Sequence, residues 1–282
     1  MSLRPDHFVK SHALGNDYLV FDEGDLTFPL VPEAVRRICD RRRGVGSDGI
    51  LLVVPSDQAD FGLRIFNPDG SEAEKSGNGL RIAAKYLYQH SRTNKESLTI
   101  ETKGGIVRAH LKIIDWVVAN VSVEMGRAEV GPAERLDAGT DVVPVNIGNP
   151  HAVVFVDDPN GVDVPAVGRR IETDARFAPG GVNVEFVSVE SRGALNVRVW
   201  ERGAGETPAS GTGASAAAAA ASAAGKVDPG VIVKMPGGEL MAAVGPDFSV
   251  TLAGPVEEIM IGDLSAELVS GLRALSPSGN SG

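Results

Sequence analysis

The chain repeats itself. Gly15-Asn16 returns as Gly148-Asn149, at an offset of 133. Pro32 and the Arg36-Arg37-Ile38 that follows it return as Pro165 and Arg169-Arg170-Ile171 at the same offset. Arg64-Ile65-Phe66-Asn67 matches Arg198-Val199-Trp200-Glu201, and Ser76-Gly77-Asn78-Gly79 matches Ser210-Gly211-Thr212-Gly213, both at an offset of 134. Gly44-Val45 pairs with Gly181-Val182 after a short insertion. One such match is a coincidence between turns. Five in the same order at nearly one spacing are a duplication. The 282 residues therefore hold two homologous halves of about 130 residues and a C-terminal extension, in line with two domains on length.

Composition narrows the function classes. A 43% hydrophobic chain can bury a sizeable core. Twenty-seven basic against 37 acidic residues give a net charge of −10, which argues against nucleic acid or an anionic membrane as partner. A local pocket of donors for a small anion is still compatible with that charge. The single cysteine, Cys39, excludes an internal disulfide and reads as a small buried residue on a helix. No Cys/His cluster has metal-ligand spacing. The first ten residues contain no apolar signal core, and the softest run, Ala214 to Ala224, is too short and too weakly apolar to span a bilayer. A cytoplasmic protein is the expectation.

Strand patterns cover Asp17–Phe21, Ile50–Val54, Gly62–Phe66, Leu98–Thr102, Ile106–Leu111 and Trp116–Val123 in the first half. In the second they cover Ala152–Val156, Val184–Val189, Val197–Trp200, Val231–Lys234 and Phe248–Leu252. Helical spacing predicts Pro32–Arg42, Leu80–Gln89, Val164–Glu172, Ala214–Ala224 and Ser265–Ala274. Many strands with few helices predict an α+β fold with mostly antiparallel sheets. The alanines of Ala214–Ala224 favour helix, and their small side chains suit a helix closely surrounded by sheet.

The matched Ser-Gly-x-Gly segments each precede a predicted helix. Free N–H groups at a helix N-terminus attract anions, and glycine lets a ligand come close to the backbone. Ser76 and Ser210 are equally suited to be plain N-cap residues. Further polar motifs lie nearby in the order of the chain: Gly15-Asn16-Asp17, Asn67-Pro68-Asp69-Gly70, Gly148-Asn149-Pro150-His151, Asn183 and Glu201-Arg202-Gly203-Ala204-Gly205-Glu206. Asparagines beside Arg202 and Glu201 suit an amino acid, whose carboxylate pairs with arginine and N–H donors and whose ammonium pairs with carbonyls and glutamate. His151 and Glu201 are candidate acid–base partners, although His151 reads as readily as a structural histidine. Asn67-Pro68-Asp69-Gly70 is by itself simply a good turn.

These motifs, with His12-Ala-Leu-Gly-Asn16-Asp17 and Glu201-Arg-Gly-Ala-Gly-Glu206-Thr207, resemble the diaminopimelate epimerase family from about residue 7 to about residue 262. The resemblance implies two pseudo-symmetric domains, each a β-sheet curled around a central helix, with the active site in the cleft between them. The halves are then residues 1–126 with 254–282, and 127–253, because the strand run from about Gly254 crosses back to the first domain. It implies epimerisation of LL-2,6-diaminopimelate to the meso isomer without cofactor or metal, in lysine biosynthesis, by a cytoplasmic homodimer. One residue removes the α-proton and another returns one on the opposite face. Substrate contacts carry over to Asn16, Asn67, Asn149, Asn183, Glu201 and Arg202, and the loop amides of Gly77, Asn78, Gly211 and Thr212 hold the reacting carboxylate.

One departure bears on the chemistry. The family's proton-transfer pair is two cysteines, and Ser76 and Ser210 stand at those positions. A thiol ionises near neutral pH at a helix N-terminus, whereas a hydroxyl needs a neighbouring base. Three readings stay open on the sequence alone: serines that relay protons to His151 or Glu201, a chain in which both cysteines were replaced, and a family member that binds without turnover. A racemase for another amino acid is a further alternative.

Overall fold

The computed structural model describes residues 5–136 and 139–275. The chain divides into two compact units, Met1–Val121 with Val256–Gly282, and Ser122–Pro255. The first unit runs β1 (His7–Ala13), β2 (Asn16–Asp22), α1 (Pro32–Cys39), β3 (Ile50–Val54), β4 (Phe61–Phe66), β5 (Glu72–Ala73), α2 (Gly77–Gln89), β6 (Ser97–Thr102), β7 (Gly105–Ile114) and the start of β8 (Val117–Arg127). The second opens with the short strands β9 (Glu129–Val130) and β10 (Glu134–Arg135). It then repeats the first as β11 (Asp141–Asn146), β12 (Pro150–Phe155), α3 (Val164–Glu172), β13 (Asn183–Ser191), β14 (Ala194–Glu201), β15 (Gly205–Thr207), α4 (Gly211–Ala223), β16 (Gly230–Met235), β17 (Gly238–Val244) and β18 (Ser249–Gly254). β19 (Glu257–Asp263) and α5 (Ala266–Arg273) belong to the first unit, where β19 pairs antiparallel with β1.

The duplication extends to the strand ladder. In the first unit β1–β2 is antiparallel, β2–β3 parallel, β3–β4 and β4–β5 antiparallel, β4–β6 parallel and β6–β7 antiparallel. The same sequence of directions recurs in β11–β12, β12–β13, β13–β14, β14–β15, β14–β16 and β16–β17. The fold is thus α+β with mixed sheets that are antiparallel at most pairings.

One helix is enclosed by each sheet. α2 buries Gly77 through Leu87 against β1, β2, β3 and β7. α4 buries Gly211 through Ala221 against strands of its own unit. Alanines 216–221 stand at 0–1% exposure, so strands approach this helix on every side, which only small side chains allow. α1 and α5 pack on the outer side of the first unit, joining Val35, Ile38, Val269 and Leu272 to Leu19, Phe21, Ile50 and Leu52. α3 does the same in the second through Val164 and Ile171 against Val184, Phe186 and Trp200. Among the described residues no helix is long and apolar enough to cross a membrane.

Several element ends differ from their sequence patterns. α2 and α4 start at Gly77 and Gly211 rather than at Leu80 and Ala214, because the glycine segments form the first helical turn themselves. α1 stops at Cys39 rather than Arg42 because the Asp40 carboxylate accepts from the backbone N–H of Arg42 and Arg43, at 2.7 and 2.8 Å, and so competes with helical bonding. Trp116 has a φ of 66° and lies in the turn before β8, not in the strand. β1, β11 and β17 were not among the expected strands, and β19 was expected only through the family resemblance, as the strand run from about Gly254 that crosses back. Their alternation is blurred by half-buried Lys10 and His12, by Pro144, by a Gly-Glu start and by an exposed β19.

The β1–β2 turn is tied down electrostatically. Leu14 and Gly15, both at positive φ, close a two-residue hairpin. The adjoining Asp17 side chain is bonded by Arg41 at 2.6 Å and Lys10 at 3.0 Å, and Arg41 also reaches Asp48 at 2.8 Å. Burial favours protonated Asp17, but these cations outweigh it and hold the pKa at about 2. A depressed carboxyl pKa contributes stability that is present above the unfolded value and lost as pH falls through the folded one. Wild-type protein should therefore lose on the order of 2 kcal/mol more than Asp17→Asn between about pH 5 and pH 2, read by urea unfolding at each pH. Separately, Ala218→Leu should destabilise the chain by about 1–3 kcal/mol through overpacking, while Ala223→Leu at the exposed helix end should change stability by less than about 0.5 kcal/mol.

Candidate active site

In the first unit Ser76 is the N-cap of α2, its Oγ accepting from the Gly79 N–H at 3.0 Å. The Tyr18 hydroxyl lies 3.4 Å from the same oxygen. One serine satisfies one of the four free N–H groups at a helix start, and the others remain donors for an anion. Asn78, within that first turn, donates to Asn16 Oδ1 at 3.1 Å. Asn16 in turn donates to Asp48 Oδ2 at 3.2 Å, which links it to the Asp17–Arg41–Asp48 cluster. Beneath the turn lies Arg81, at 0% exposure, donating to the Gly77 carbonyl at 3.2 Å and to Asn78 Oδ1 at 2.8 Å.

The second unit carries the matching arrangement. Ser210 caps α4, with Oγ accepting from the Gly213 N–H at 3.2 Å. Asn149 donates to Thr212 Oγ1 at 3.4 Å, as Asn78 does to Asn16. Asn149 Oδ1 accepts from His151 Nε2 at 2.9 Å. His151 Nδ1 lies 2.7 Å from Glu185 Oε1, and both side chains are fully buried. Burial pushes the Glu185 carboxyl pKa up against the opposing pull of His151. The two groups therefore share a proton, with the Nε2–H directed at Asn149. Among the described residues Glu185 Oε2 has no hydrogen-bond partner.

Asn183 donates to the Pro150 carbonyl at 3.0 Å and accepts from the Arg202 N–H at 3.0 Å. The exposed Arg202 guanidinium reaches the Gly180 carbonyl at 3.0 Å. Glu201 Oε1 accepts from the Thr207 hydroxyl at 2.7 Å. Asn67 sits in the β4–β5 turn, its side chain donating to Ser71 Oγ at 3.0 Å, and no bond joins it to another candidate residue. Among the described residues no group of three or more His, Cys, Asp or Glu side chains is placed to hold a metal ion.

The structure thus brings Asn16 to Asn78, Asn149 to Thr212 and His151, and Asn183 to Arg202. Tyr18, Arg81 and Glu185 were missed by the sequence reading. Glu185 left a visible trace: a lone carboxylate in the apolar run Val184–Val189 of a strand. Arg81 left a comparable one, a cation between Leu80 and Ile82.

Comparison with known proteins identifies the family. The profile of the diaminopimelate epimerase family matches residues 8–131 and 143–259. A protein of Nostoc sp. named diaminopimelate epimerase 2 is 43% identical over 278 residues, covering 93% of this chain and 96% of its own. A diaminopimelate epimerase of Geobacillus thermodenitrificans is 41% identical over 276 residues, with 90% and 95% covered. Among solved structures, a probable proline racemase from Agrobacterium radiobacter superposes with a TM-score of 0.73 at 19% identity, covering 92% of this chain and 93% of that one. A hydroxyproline epimerase from Agrobacterium vitis gives 0.70 at 19% identity, with 91% of each chain covered. These two structures speak for the fold. The profile match and the sequence relatives together establish that this chain belongs to the diaminopimelate epimerase family.

Proposed function

We propose that the protein epimerises LL-2,6-diaminopimelate to the meso isomer, a step of lysine biosynthesis, without a cofactor. The observation that carries this reading is the pair of matched helix starts, each with a capping serine, first-turn amides left as donors and an asparagine held in place. In this reading the two units supply the two halves of one epimerase, and both act on a single α-carbon. The amides of Gly77, Asn78, Gly211 and Thr212 take the carboxylate next to the reacting carbon, and Asn16, Asn67, Asn149, Asn183, Glu201 and Arg202 contact the rest of the amino acid. The group at one capping position removes the α-proton, and the electron pair is spread into the adjacent carboxylate. The group at the other returns a proton on the opposite face. His151 and Glu201 support that transfer, His151 by fixing Asn149. We further propose a cytoplasmic homodimer, which sedimentation equilibrium checks.

Serine makes the proton transfer slow. A barrier raised by about 1.4 kcal/mol costs tenfold in rate, and a hydroxyl is a far weaker acid than a thiol. Binding with little turnover is the second reading, and the residue type at positions 76 and 210 is what favours it.

The test follows the α-proton of LL-diaminopimelate in D₂O by NMR. Wild-type protein should exchange that proton and form the meso isomer. The double variant Ser76→Cys/Ser210→Cys should do so at least about a hundredfold faster. A double variant that binds the amino acid yet leaves the proton in place would overturn the assignment.

A further inference from the structure

The two half-sites share a backbone but differ beneath it. Arg81 lies one helical turn after Gly77 and donates to the Gly77 carbonyl. The matching residue in the second half is Ser215, which donates to the Gly211 carbonyl at 2.9 Å. A guanidinium therefore backs one helix start and a neutral hydroxyl backs the other. Across from the third residue of each helix the partners also differ. A Cβ on Gly79 would meet Leu51 Cδ2 at 2.9 Å, whereas a Cβ on Gly213 would meet Glu185 Oε1 at 2.9 Å. Leu51 and Glu185 are themselves related by the offset of the duplication.

Arg81 is unusual. It is fully buried, and among the described residues its Nε has no hydrogen-bond partner and no carboxylate pairs with it. Burial lowers its pKa only to about 10, so it is a cation at neutral pH. The other charges around α2 do not cancel it. Lys10 and Arg41 balance Asp17 and Asp48. His7 and His12 of β1 face Asp263 and Glu257 of β19, and Asp22 of β2 faces Arg92. Lys85 on α2 donates to the Val256 carbonyl at 2.8 Å, His90 at the end of α2 faces Glu258 at 3.1 Å, Lys75 and the exposed Glu74 precede Ser76 together, and the group facing Ser76 Oγ is the Tyr18 hydroxyl at 3.4 Å. β3 has no charge, and Arg108, His110 and Lys112 of β7 are exposed. Against α4 the buried titratable groups are Glu185 and His151, which share a proton and so carry no net charge. Glu129, Asp141, Glu190 and Glu239 are exposed, and Arg198, Glu201 and Lys234 are half-buried.

We propose that Arg81 is a positioning residue that divides the labour between the two half-sites. Its charge lowers the pKa of the group at position 76 below that of the group at position 210, so position 76 is the one that gives up its own proton and acts as the base. The group at position 210, with no such cation behind it, rests protonated as the acid. One turnover releases the proton of position 76 to solvent, moves the α-proton there and a proton from position 210 to the opposite face of the carbon, after which position 210 takes a proton back from solvent. This division of labour rests on the epimerase reading.

Thiols introduced singly report the bias without substrate, so this test and the exchange assay can fail independently. Ser76→Cys and Ser210→Cys would each be alkylated with iodoacetamide across pH, with mass spectrometry separating the new thiol from buried Cys39. The half-maximal pH for Ser76→Cys should lie at least about one pH unit below that for Ser210→Cys. Adding Arg81→Met should raise the Ser76→Cys value by about one pH unit, and Arg81→Lys should bring it back down. Equal values for the two single variants, or a lower one at position 210, would overturn the proposal, and that comparison decides even if Arg81→Met does not fold. A Ser76→Cys value that Arg81→Met leaves unmoved in folded protein would overturn it as well.

Discussion

A helix wrapped by a sheet has a difficulty at its start. Its first N–H groups have no partner within the helix, and a surrounding sheet keeps water away. In both units a serine oxygen answers one of these donors, Ser76 for Gly79 and Ser210 for Gly213. The rest of each site is arranged around the donors left over. Glycine at the third helical position lets the turn pack against the capping serine and against Leu51 in one unit and Glu185 in the other, where a Cβ would collide. An asparagine or threonine at the second is locked to a second asparagine from a neighbouring hairpin. The central helices could not be enclosed this tightly if they carried large side chains on every face, and α4 meets that requirement almost entirely with alanine.

Duplication explains why the same solution occurs twice, and divergence explains why the two differ. Strand directions, caps and the Arg64–Glu72 and Arg198–Glu206 pairs all recur at one offset. The residues beneath the caps do not. A reaction that takes a proton from one face and returns one to the other gains from two similar halves, since each face meets a similar geometry. It also needs one half to take a proton while the other gives one. A buried guanidinium on one side and the Glu185–His151 pair on the other make the surroundings of the two halves differ behind a helix-start backbone that stays alike.

Much of this was legible in the chain. The helix Val164–Glu172 and the strand Ile50–Val54 have the bounds their patterns predict, because each has clean periodicity between clear breakers. The capping serines were legible as caps, and the offset revealed that they correspond. The failures share a cause. Periodicity starts α2 at Leu80 instead of Gly77 because glycines weaken a helical pattern that the cap and the surrounding sheet restore. β1 and β19 pair across nearly the whole length of the chain, and neither alternates cleanly enough alone. Arg81 and Glu185 stood out as charges in apolar runs, but what they bond is a tertiary fact. Asn67 was grouped with the ligand contacts through its motif, while in the structure it bonds within its own turn.

In the proposed reaction each capping position serves one face of one carbon. The most direct measurement compares α-deuterium exchange by Ser76→Ala and Ser210→Ala on LL- and meso-diaminopimelate, resolving the L and D centres by NMR. The two variants should show opposite selectivity: each loses exchange out of one configuration and retains it out of the other. Two variants that treat both configurations alike would contradict it.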